Sequence, residues 1–373
     1  MAQDTLKTVT LMAGGDVGPI IQPVDRYADL IAPIFKQADI RFAQCERSYS
    51  KRGYPPGFGI GPGGQHSRLD PAMASIFKVF GANVISLASN HTMEWGPEAM
   101  LDTIDLFHGM GIHVTGAGKD AAEARTPAIM EQNGVKVAIL SYCSVLRDGQ
   151  AAGPDKAGCA PLRAHSYYEA EDFQPGTPPK VISVPFEDDL SALKEDIHKA
   201  KAQSDVVILS LHWGVHHLPK VIATYQPPVA HAAIDAGADL ILGHHAHLLK
   251  AVEVYKGKVC FYSMNNFITT GSHGYKVPCK WGGLYWYHVD PDSLYSFQID
   301  SKKSMIVKAV IGKNGVQRVS FLPVYINKQA QPEALNQDDN RFKEVLEYME
   351  WVSDQFPCSF KVEGNEVVVQ SPD

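Results

Sequence analysis

The sequence predicts an α/β fold in which apolar strands alternate with helices and end in polar residues. Two observations carry this prediction. Short apolar runs of strand length recur along the first two thirds of the chain, and most are followed by stretches with helical spacing. Several of these runs end in residues that bind metals, as in residues 240–247, where three histidines follow Gly243. In open α/β sheets, ligands bind at the carboxyl ends of the strands.

Composition narrows the classes of function. The 373 residues are 45% hydrophobic and 20% charged, which is typical of a globular protein. With a formal net charge of -7 and no basic block, the chain is not expected to bind nucleic acid. No apolar stretch reaches the roughly 18 residues of a membrane span, and residues 1–7 lack a secretion leader, so we expect a cytoplasmic protein without an integral membrane segment. The six cysteines lack Cys-x-x-Cys spacing and are expected to be free, and the sequence leaves the oligomeric state open.

The first part of the chain alternates strands with helices. Strands are predicted at residues 8–13, 38–43 and 82–88. Helices are predicted at residues 25–37, where Pro33 should interrupt the helix, and at residues 70–80 and 97–110. Residues 53–64 are rich in glycine and proline and predict a loop, either a lid beside the site or a plain surface loop.

The middle of the chain continues this alternation. A strand at residues 112–114 and a helix at 120–124 precede a hairpin over 128–142, with Asn133-Gly134 as its turn. Residues 144–185 predict an irregular excursion with a short strand near 181–182. Helices at 188–203 and 227–236 precede strands at 206–211 and 240–242, and a second hairpin spans 252–263.

The remaining chain is mostly β in pattern. Strands are predicted at residues 284–289, 305–311 and 316–325, followed by a helix at 340–353 and a hairpin over 360–370. We expect one domain over residues 1–335, including the excursion at 144–185. Residues 336–373 are expected to form a helix and hairpin extension packed on that domain.

Polar residues at the ends of five predicted strands indicate one site. Taken singly, each has a structural explanation, such as a turn, a solvated charge or a helix cap, but their joint appearance favours metal binding. We expect them on one edge of one sheet; they are Asp16, Glu46, Asn90, His212, His245 and His247. This oxygen and nitrogen set suits manganese, iron or zinc. It exceeds what one ion needs, so two divalent ions bridged by a carboxylate are expected.

Taken together, the motifs resemble a known family. The motifs are Gly15-Asp16, Cys45-Glu46, Ser89-Asn90-His91-Thr92, Thr115-Gly116-Ala117-Gly118, His212-Trp213-Gly214, Gly243-His244-His245-Ala246-His247 and Ser263-Met264-Asn265-Asn266-Phe267. In this order they resemble the capsule-synthesis CapA family of poly-γ-glutamate synthesis, over residues 8–332. That family is similar in fold to the calcineurin-like metallophosphoesterases. The resemblance therefore implies a metallo-dependent phosphatase-like four-layer α/β/β/α sandwich.

The resemblance also implies roles for individual residues. The six residues at the strand ends would be metal ligands, with Glu46 as the bridge between the two ions. His91 would donate or accept a proton beside the metals, and His244 would be an extra imidazole close to them. The catalytic candidates are therefore Glu46, His91 and His244. The candidates for substrate binding include two arginines on the segments flanking the glycine-rich loop, Arg47 and Arg52, independently of the resemblance. The others lie in or near the motifs; they are Glu94, Trp213, His216 and Asn266.

The sequence departs from the family pattern at several positions. Gly18 stands where phosphoesterases have the histidine of an Asp-x-His motif, so one of the two ions is expected to be weakly held. Residues 44–46 are Gln-Cys-Glu in place of Asn-Leu-Glu, residues 94–96 are Glu-Trp-Gly in place of Asp-Tyr-Gly, and residues 264–267 are Met-Asn-Asn-Phe in place of Leu-Gly-Asn-Phe. These changes lie beside the ligands, which indicates a changed substrate and a retained centre.

Four functions remain open at this point. The first is metal-dependent hydrolysis of an amide or ester in a carboxylate-bearing small molecule, γ-glutamyl peptide or polyglutamate, with Arg47, Arg52 and Arg68 either pairing with the anionic substrate or forming a solvated rim. The second is phosphoester hydrolysis, which the missing histidine disfavours. The third is epimerisation or elimination by His91 and His244 as facing bases. The fourth is a non-enzymatic component that binds or assembles a capsule polymer.

Overall fold

Two β-sheets packed face to face form the centre of the structure, a computed structural model that describes residues 7–54, 67–271, 290 and 292–372. The strand predicted at residues 284–289 lies outside the described residues, as do residues 55–64 of the predicted glycine-rich loop.

The strands of the first half of the chain begin with the long β1. In chain order they are β1 (Val9–Val17), β2 (Ile40–Cys45), β3 (Ser48–Tyr49), β4 (Arg68–Leu69), β5 (Val84–Ser86), β6 (His113–Thr115), β7 (Ala117–Gly118), β8 (Ala128–Gln132), β9 (Val135–Cys143), β10 (Gly158–Cys159) and β11 (Ala164–Glu169). Those of the second half are β12 (Lys180–Pro185), β13 (Val206–His212), β14 (Leu240–His244), β15 (Val252–Tyr255), β16 (Lys258–Phe261), β17 (Asn266–Ile268), β18 (Lys303–Gly312), β19 (Gly315–Ile326), β20 (Pro332–Ala334), β21 (Ser359–Glu363) and β22 (Glu366–Gln370).

The α-helices connect these strands and cover the sheets. They are α1 (Ala32–Phe35), α2 (Ser75–Phe80), α3 (Gly96–Gly109), α4 (Ala121–Ala124), α5 (Glu187–Lys201), α6 (Gln226–Asp235) and α7 (Asn340–Ser353). Short 3-10 turns occur at Asp25–Ala28, Pro71–Ala74 and Ile299–Lys302.

The larger sheet contains the amino-terminal strands. Its order among the described residues is β21-β22-β19-β18-β1-β2-β5-β6, with β17 beside the end of β1 and β20 beside β19. Strands β1, β2, β5 and β6 are parallel, whereas β18 runs antiparallel to β1. Both faces of β1 are buried, since Leu11 lies in the core between the sheets and Met12 lies in the core under the helices. An apolar run that is continuous rather than alternating is typical of such a doubly covered strand.

The smaller sheet contains the strands that end in histidine. Its order is β15-β16-β14-β13-β9-β8. Strands β9, β13, β14 and β16 are parallel, and the hairpins predicted at residues 128–142 and 252–263 form its two edges. The register of β13 and β14 pairs His212 with His244, so both histidines lie at the same edge.

Apolar side chains form three cores that hold four layers together. Between the sheets, Leu11 of β1 and Ile139 of β9 belong to one core. Helices α2 and α3 cover the outer face of the larger sheet through a second core that includes Phe77. Helices α5 and α6 cover the outer face of the smaller sheet through a third core that includes Leu193 and Val229. The predicted four-layer α/β/β/α sandwich is therefore confirmed.

Two predicted helices are shorter than expected. The helix predicted over residues 25–37 is a 3-10 turn followed by the single turn of α1, because Pro33 stands in the first turn of α1 and cannot donate a backbone hydrogen bond. The helix predicted over residues 70–80 begins as a 3-10 turn after Asp70, whose side chain accepts a hydrogen bond from the amide of Ala72 at 2.9 Å. Helix α7 has the predicted bounds, residues 340–353.

The predicted excursion at residues 144–185 contains more regular structure than expected. Strands β11 and β12 pair as an antiparallel hairpin, with Ser166 opposite Ser183. The backbone amide of Ser183 donates to the side-chain oxygen of Thr224 at 2.6 Å, which ties this hairpin to the segment before α6. The strand predicted near residues 181–182 is β12, but the rest of the excursion is less irregular than predicted. Pairing with other segments stabilises β10 and β11, which the local pattern does not indicate.

The carboxyl-terminal elements join the larger sheet. Strand β22 pairs with β19, and α7 packs against the core between the sheets through Val345 and Met349. The domain boundary at residue 335 stays a prediction. Within the described part of the chain, no helix is both long enough and apolar enough to cross a bilayer.

Candidate metal centre

The carboxyl ends of parallel strands from both sheets meet at one end of the sandwich. Strand β1 supplies Asp16 and β2 is followed by Glu46, while β13 ends at His212. Potential ligand atoms of these three side chains lie within 4.8 Å of one another. The expectation that one sheet carries the whole site was wrong, because two sheets whose parallel strands end together each contribute.

The two carboxylates are both buried, but their pKa values are shifted in opposite directions. Asp16 is 0% exposed and Glu46 is 2% exposed. Burial opposes ionisation of Asp16, but its contact with His244 lowers its pKa. The pKa of Glu46 is raised, first by burial and then by the charge of Asp16. A bound cation would relieve this repulsion.

Imidazole nitrogens surround the carboxylates. Nε2 of His212 lies 3.8 Å from Oε1 of Glu46, and Nε2 of His247 lies 3.9 Å from the same oxygen. Nδ1 of His247 is 3.8 Å from Oδ2 of Asp16. The ring centroids of His212 and His245 are 4.9 Å apart. These side chains thus form a mixed oxygen and nitrogen cluster, together with Asn90, whose Oδ1 lies 2.7 Å from Nε2 of His212.

The protonation of the imidazoles suits metal binding. Burial lowers the pKa of His212 to about 3 and lowers that of His245 well below its usual value. Both rings are therefore neutral, which is the form that coordinates metals. Oε1 of Glu46, Nδ1 of His212 and Nδ1 of His245 are buried without a hydrogen-bond partner among the described residues. Unpartnered buried donors and acceptors of this kind are costly unless a ligand satisfies them, so the residues fit a divalent metal.

The backbone at the site is held in an unusual conformation. His245 and His247 have φ of 85° and 51°, in the left-handed region that non-glycine residues rarely adopt. Gly15 allows a close crossing, since a Cβ there would lie 1.8 Å from the backbone oxygen of Asn265. That crossing brings Asn265 against β1, where its carbonyl accepts a hydrogen bond from the amide of Asp16 at 3.0 Å. The glycine before Asp16 is thus required by tertiary packing.

His91 and Glu94 form a pair beside the cluster. Nδ1 of His91 lies 2.8 Å from Oε2 of Glu94, and Nδ2 of Asn90 lies 3.4 Å from Nε2 of His91. The side chain of His91 is 19% exposed, whereas that of Glu94 is 5% exposed. Burial opposes ionisation of Glu94, but the hydrogen bond and charge of His91, a bond to Ser67 and the charge of Arg147 lower its pKa. Glu94 was predicted to bind substrate; the structure places it behind His91 instead of at an open surface.

His244 lies between the sheets. It is 0% exposed, its Nδ1 is 3.3 Å from Oδ1 of Asp16, and its ring packs at 5.8 Å from that of Phe42. The predicted catalytic role of His244 would thus have to act through Asp16, since the ring is enclosed by protein.

Arg47 fills the space beside Gly18. A Cβ on Gly18 would lie 2.7 Å from Cγ of Arg47, and the guanidinium donates to the backbone oxygen of Glu46 at 2.9 Å. The side chain of Arg47 therefore passes where the missing phosphoesterase histidine would start. Arg52 makes an ion pair with Asp102 of α3, in which its Nε lies 3.0 Å from Oδ2, and its side chain is 61% exposed.

The remaining predicted substrate-binding residues have buried partners. Trp213 is fully buried, donates to the backbone oxygen of Tyr262 at 3.0 Å and stacks on its ring. The ring centroid of His216 is 4.8 Å from that of His245, and burial lowers the pKa of His216 to about 4. Asn266 is fully buried and donates to the hydroxyl of Tyr295 at 2.7 Å.

Two residues near the site were missed by sequence reasoning. Tyr295 contacts Asn266, and the charge of Arg147 acts on Glu94. Tyr295 belongs to no motif and does not stand at the end of an apolar run, so no local pattern would have found it. Arg147 follows the apolar residues Val145 and Leu146, which was the available signal.

Comparison with known protein families gives a match over most of the chain. A sequence model of the family described as "Bacterial capsule synthesis protein PGA_cap" matches residues 8–270. The matched span includes all six candidate ligands.

Two curated relatives carry related descriptions. "PGA biosynthesis protein CapA" of Bacillus subtilis (strain 168) is 25% identical over 323 residues, which are 86% of this chain and 70% of that protein. "Capsule biosynthesis protein CapA" of Bacillus anthracis is 29% identical over 191 residues, which are 51% of this chain and 41% of that protein. The match to the second relative thus spans less than half of its length.

Solved structures show remote similarity. A hypothetical protein from Thermus thermophilus is 13% identical with a TM-score of 0.45, covering 84% of this chain and 98% of that one. The calcineurin-like phosphoesterase YfkN from Bacillus subtilis is 13% identical with a TM-score of 0.40, covering 93% of this chain and 99% of that one. No functional assignment follows from similarity at this level.

Proposed function

The chain belongs to the bacterial capsule synthesis protein PGA_cap family, and on that basis we propose that it is a metal-dependent hydrolase acting in capsule or poly-γ-glutamate metabolism. The bond cleaved is an amide or ester of a carboxylate-bearing substrate, such as a γ-glutamyl peptide. The observation that carries this proposal is the buried cluster of Asp16, Glu46 and His212 with unpartnered ligand atoms, next to the partly exposed His91.

Six side chains would hold the metal. They are Asp16, Glu46, Asn90, His212, His245 and His247, with Glu46 central because two imidazole nitrogens lie within 4 Å of its Oε1. When bound, divalent manganese, iron or zinc would acidify a water and stabilise the charge that develops on the substrate oxygen. Of the two expected positions, the one beside Gly18 is the weaker, because Arg47 occupies the space of a further ligand.

His91 supplies the proton to the leaving group. Its Nδ1 is held by Glu94, so Nε2 is the atom that can deliver a proton on the side of the metal cluster. The neighbouring carboxylate of Glu94 fixes the direction of the ring. A His91 ring that is 19% exposed can reach a substrate, whereas the buried Glu94 orients it.

The anionic part of the substrate is bound by Arg47. Its guanidinium lies beside Glu46 and Gly18 and can make paired hydrogen bonds to a carboxylate. The same group binds a phosphoryl oxygen equally well, so phosphoester hydrolysis is the second candidate. Epimerisation by His91 and His244 is disfavoured, since His244 is fully enclosed between the sheets.

Metal analysis and a substrate panel test the proposal. Elemental analysis of protein purified without chelators should give one to two manganese, iron or zinc ions per chain. A γ-glutamyl peptide, a simple ester and a phosphomonoester would then be compared, and His91→Gln should lower kcat by about 10²–10⁴-fold without changing metal content. The matched control is His198→Gln on the exposed face of α5. A folded protein that binds no added Mn²⁺ would refute the proposal and favour a non-enzymatic assembly role. Full activity of His91→Gln would refute the role of His91 as the proton donor.

A cytoplasmic location stays a prediction, which cell fractionation followed by immunoblotting would test.

A further inference from the structure

A chain of hydrogen bonds between buried groups ends on His247. Nδ1 of His247 lies 2.8 Å from Oδ1 of Asn266, and Nδ2 of Asn266 donates to the Tyr295 hydroxyl at 2.7 Å. The Tyr295 hydroxyl in turn donates to the backbone oxygen of Ser301 at 2.9 Å. Asn266 and Tyr295 are both 0% exposed. We propose that Tyr295 is a positioning residue that fixes, through Asn266, the tautomer and direction of the His247 ring; the proposal rests on the metal-dependent function above.

The direction of every bond in this chain follows from its last member. A backbone carbonyl can only accept, so the Tyr295 hydroxyl must give its single proton to Ser301. That hydroxyl can then only accept from Asn266, which therefore presents its Nδ2 to Tyr295 and its Oδ1 to His247. The Oδ1 atom is an acceptor, so His247 must carry its proton on Nδ1.

The opposite orientation of the Asn266 amide would leave the chain unsatisfied. Oδ1 would then face the Tyr295 hydroxyl, whose only proton is already donated to Ser301, and two lone pairs would oppose each other. In a fully buried position such a mismatch is unfavourable, because water cannot replace the lost bond. The orientation that puts the His247 proton on Nδ1 is the one that satisfies all the groups.

This tautomer leaves Nε2 of His247 with a free lone pair. Nε2 lies 3.9 Å from Oε1 of Glu46, on the side of the candidate ligands. A histidine coordinates a metal through an unprotonated nitrogen, and the bond made by its other nitrogen decides which one that is. The series of hydrogen bonds that begins at Ser301 thus leaves Nε2 unprotonated and able to bind a metal, even when no metal is present.

Further hydrogen bonds to backbone oxygens hold the residues of this hydrogen-bond series in place. The Ser301 hydroxyl donates to the backbone oxygen of His247, and Nδ2 of Asn265 donates to the backbone oxygen of Ser301 at 2.7 Å. The Ser304 hydroxyl donates to the backbone oxygen of Asn266 at 2.5 Å. Because His247 has φ of 51°, its backbone needs such support to keep the ring in one direction.

Removing the hydroxyl oxygen of Tyr295 isolates its effect on the His247 ring. In Tyr295→Phe the aromatic ring stays and can keep its contact with Phe297, whose centroid is 5.0 Å away. Tyr49→Phe is the matched control, because Tyr49 is 1% exposed and its hydroxyl has no hydrogen-bond partner in the described part of the chain. Both variants delete a buried hydroxyl, but only one breaks the chain.

Two measurements on the full chain test the inference. Long-range ¹H–¹⁵N NMR of metal-stripped, ¹⁵N-histidine-labelled protein reports the tautomer of His247, whose signals are assigned by their loss in His247→Gln. Calorimetric titration with Mn²⁺ reports affinity. We expect the proton on Nδ1 in the wild type and in Tyr49→Phe, a mixture of tautomers in Tyr295→Phe, and a Kd for Mn²⁺ raised about 10–100-fold in Tyr295→Phe alone.

The outcomes separate this inference from the proposed function. If Tyr295→Phe matches Tyr49→Phe in tautomer and in Kd, the inference is overturned while metal binding by the wild type stands. If the wild type binds no Mn²⁺, the proposed function fails, and the tautomers of the metal-free proteins still decide the role of Tyr295. Asn266→Ala breaks the same chain at its middle and replaces Tyr295→Phe in this comparison if that variant does not fold.

Discussion

Replacement of Glu46 by glutamine should stabilise the metal-free protein and abolish its stabilisation by metal. Glu46 is 2% exposed, and its Oε1 has no hydrogen-bond partner among the described residues. Ligand atoms of Asp16 and Glu46 lie within 4.8 Å of each other. At that separation and an effective dielectric constant of about 20, two unit charges repel by about 3 kcal/mol.

The ionised form of Glu46 is disfavoured in the wild type. Burial, and then the charge of Asp16, raise the pKa of Glu46. We therefore expect Glu46→Gln to raise the free energy of unfolding by about 1–3 kcal/mol in chelator at neutral pH. With Mn²⁺ at about 1,000 times Kd, the wild type should gain about 4 kcal/mol and the variant should gain little. The order of stability should thus reverse on adding metal.

Chemical denaturation in EDTA and in Mn²⁺ measures both differences. The control is Glu253→Gln, because Glu253 is 4% exposed but its oxygens are paired with His231 at 2.7 Å and with the Tyr262 hydroxyl at 2.6 Å. This control should lose stability in both conditions and keep the response to Mn²⁺. If Glu46→Gln were less stable than the wild type in EDTA, or gained as much from Mn²⁺, the assignment of Glu46 to the metal centre would be refuted.

Three further variants test the packing around the site and the sheet. Gly18→His should destabilise the fold, because a Cβ there would lie 2.7 Å from Cγ of Arg47. Adding Arg47→Ala should restore stability and tighten the weaker metal site in a Mn²⁺ titration. An equal loss of stability from Gly18→His with and without Arg47→Ala would contradict this. Burial opposes ionisation of Glu366, but its bonds to two cations and a hydroxyl lower its pKa from 4.5 to about 2. The stability lost in Glu366→Gln should therefore be constant above about pH 4.5 and should vanish as the pH falls towards 2; a difference that does not change over this range in urea denaturation would disprove it. Gly15→Ala should prevent stable folding, since its Cβ would lie 1.8 Å from a backbone oxygen. In the control Gly109→Ala the added Cβ meets open space, so stability should change by less than about 1 kcal/mol. Similar melting temperatures for the two variants would show this reasoning to be wrong.

The candidate ligands could be predicted because each follows a local signal. An apolar run that stops at a glycine or an acid marks the end of a buried strand, and the resemblance to a known family adds the order of the motifs. Asp16, Glu46 and His212 were found in this way, and the structure brings them within 4.8 Å of one another. Their roles as ligands stay predictions until metal content is measured.

The orientation of side chains around the site could not be predicted. Glu94 and Asn266 were expected to contact substrate because their motifs lie beside the ligands, but the structure pairs them with His91 and Tyr295. His244 is adjacent to His245 in sequence and yet lies between the sheets against Phe42. Successive residues of a strand point to opposite faces, and the face that becomes the core depends on the partner sheet.

The sequence by itself determined the strands, the helices and the chemistry available at the strand ends. Apolar periodicity, proline and Asn-Gly turns act over a few residues, so helix α7 and the hairpin of β8 and β9 have nearly their predicted bounds. The tertiary structure alone decided that two sheets share the site, that Arg47 fills the space beside Gly18 and that Tyr295 reaches Asn266. These contacts join residues distant in the chain, and their distances are set by how the buried faces of the layers pack, which no local pattern specifies.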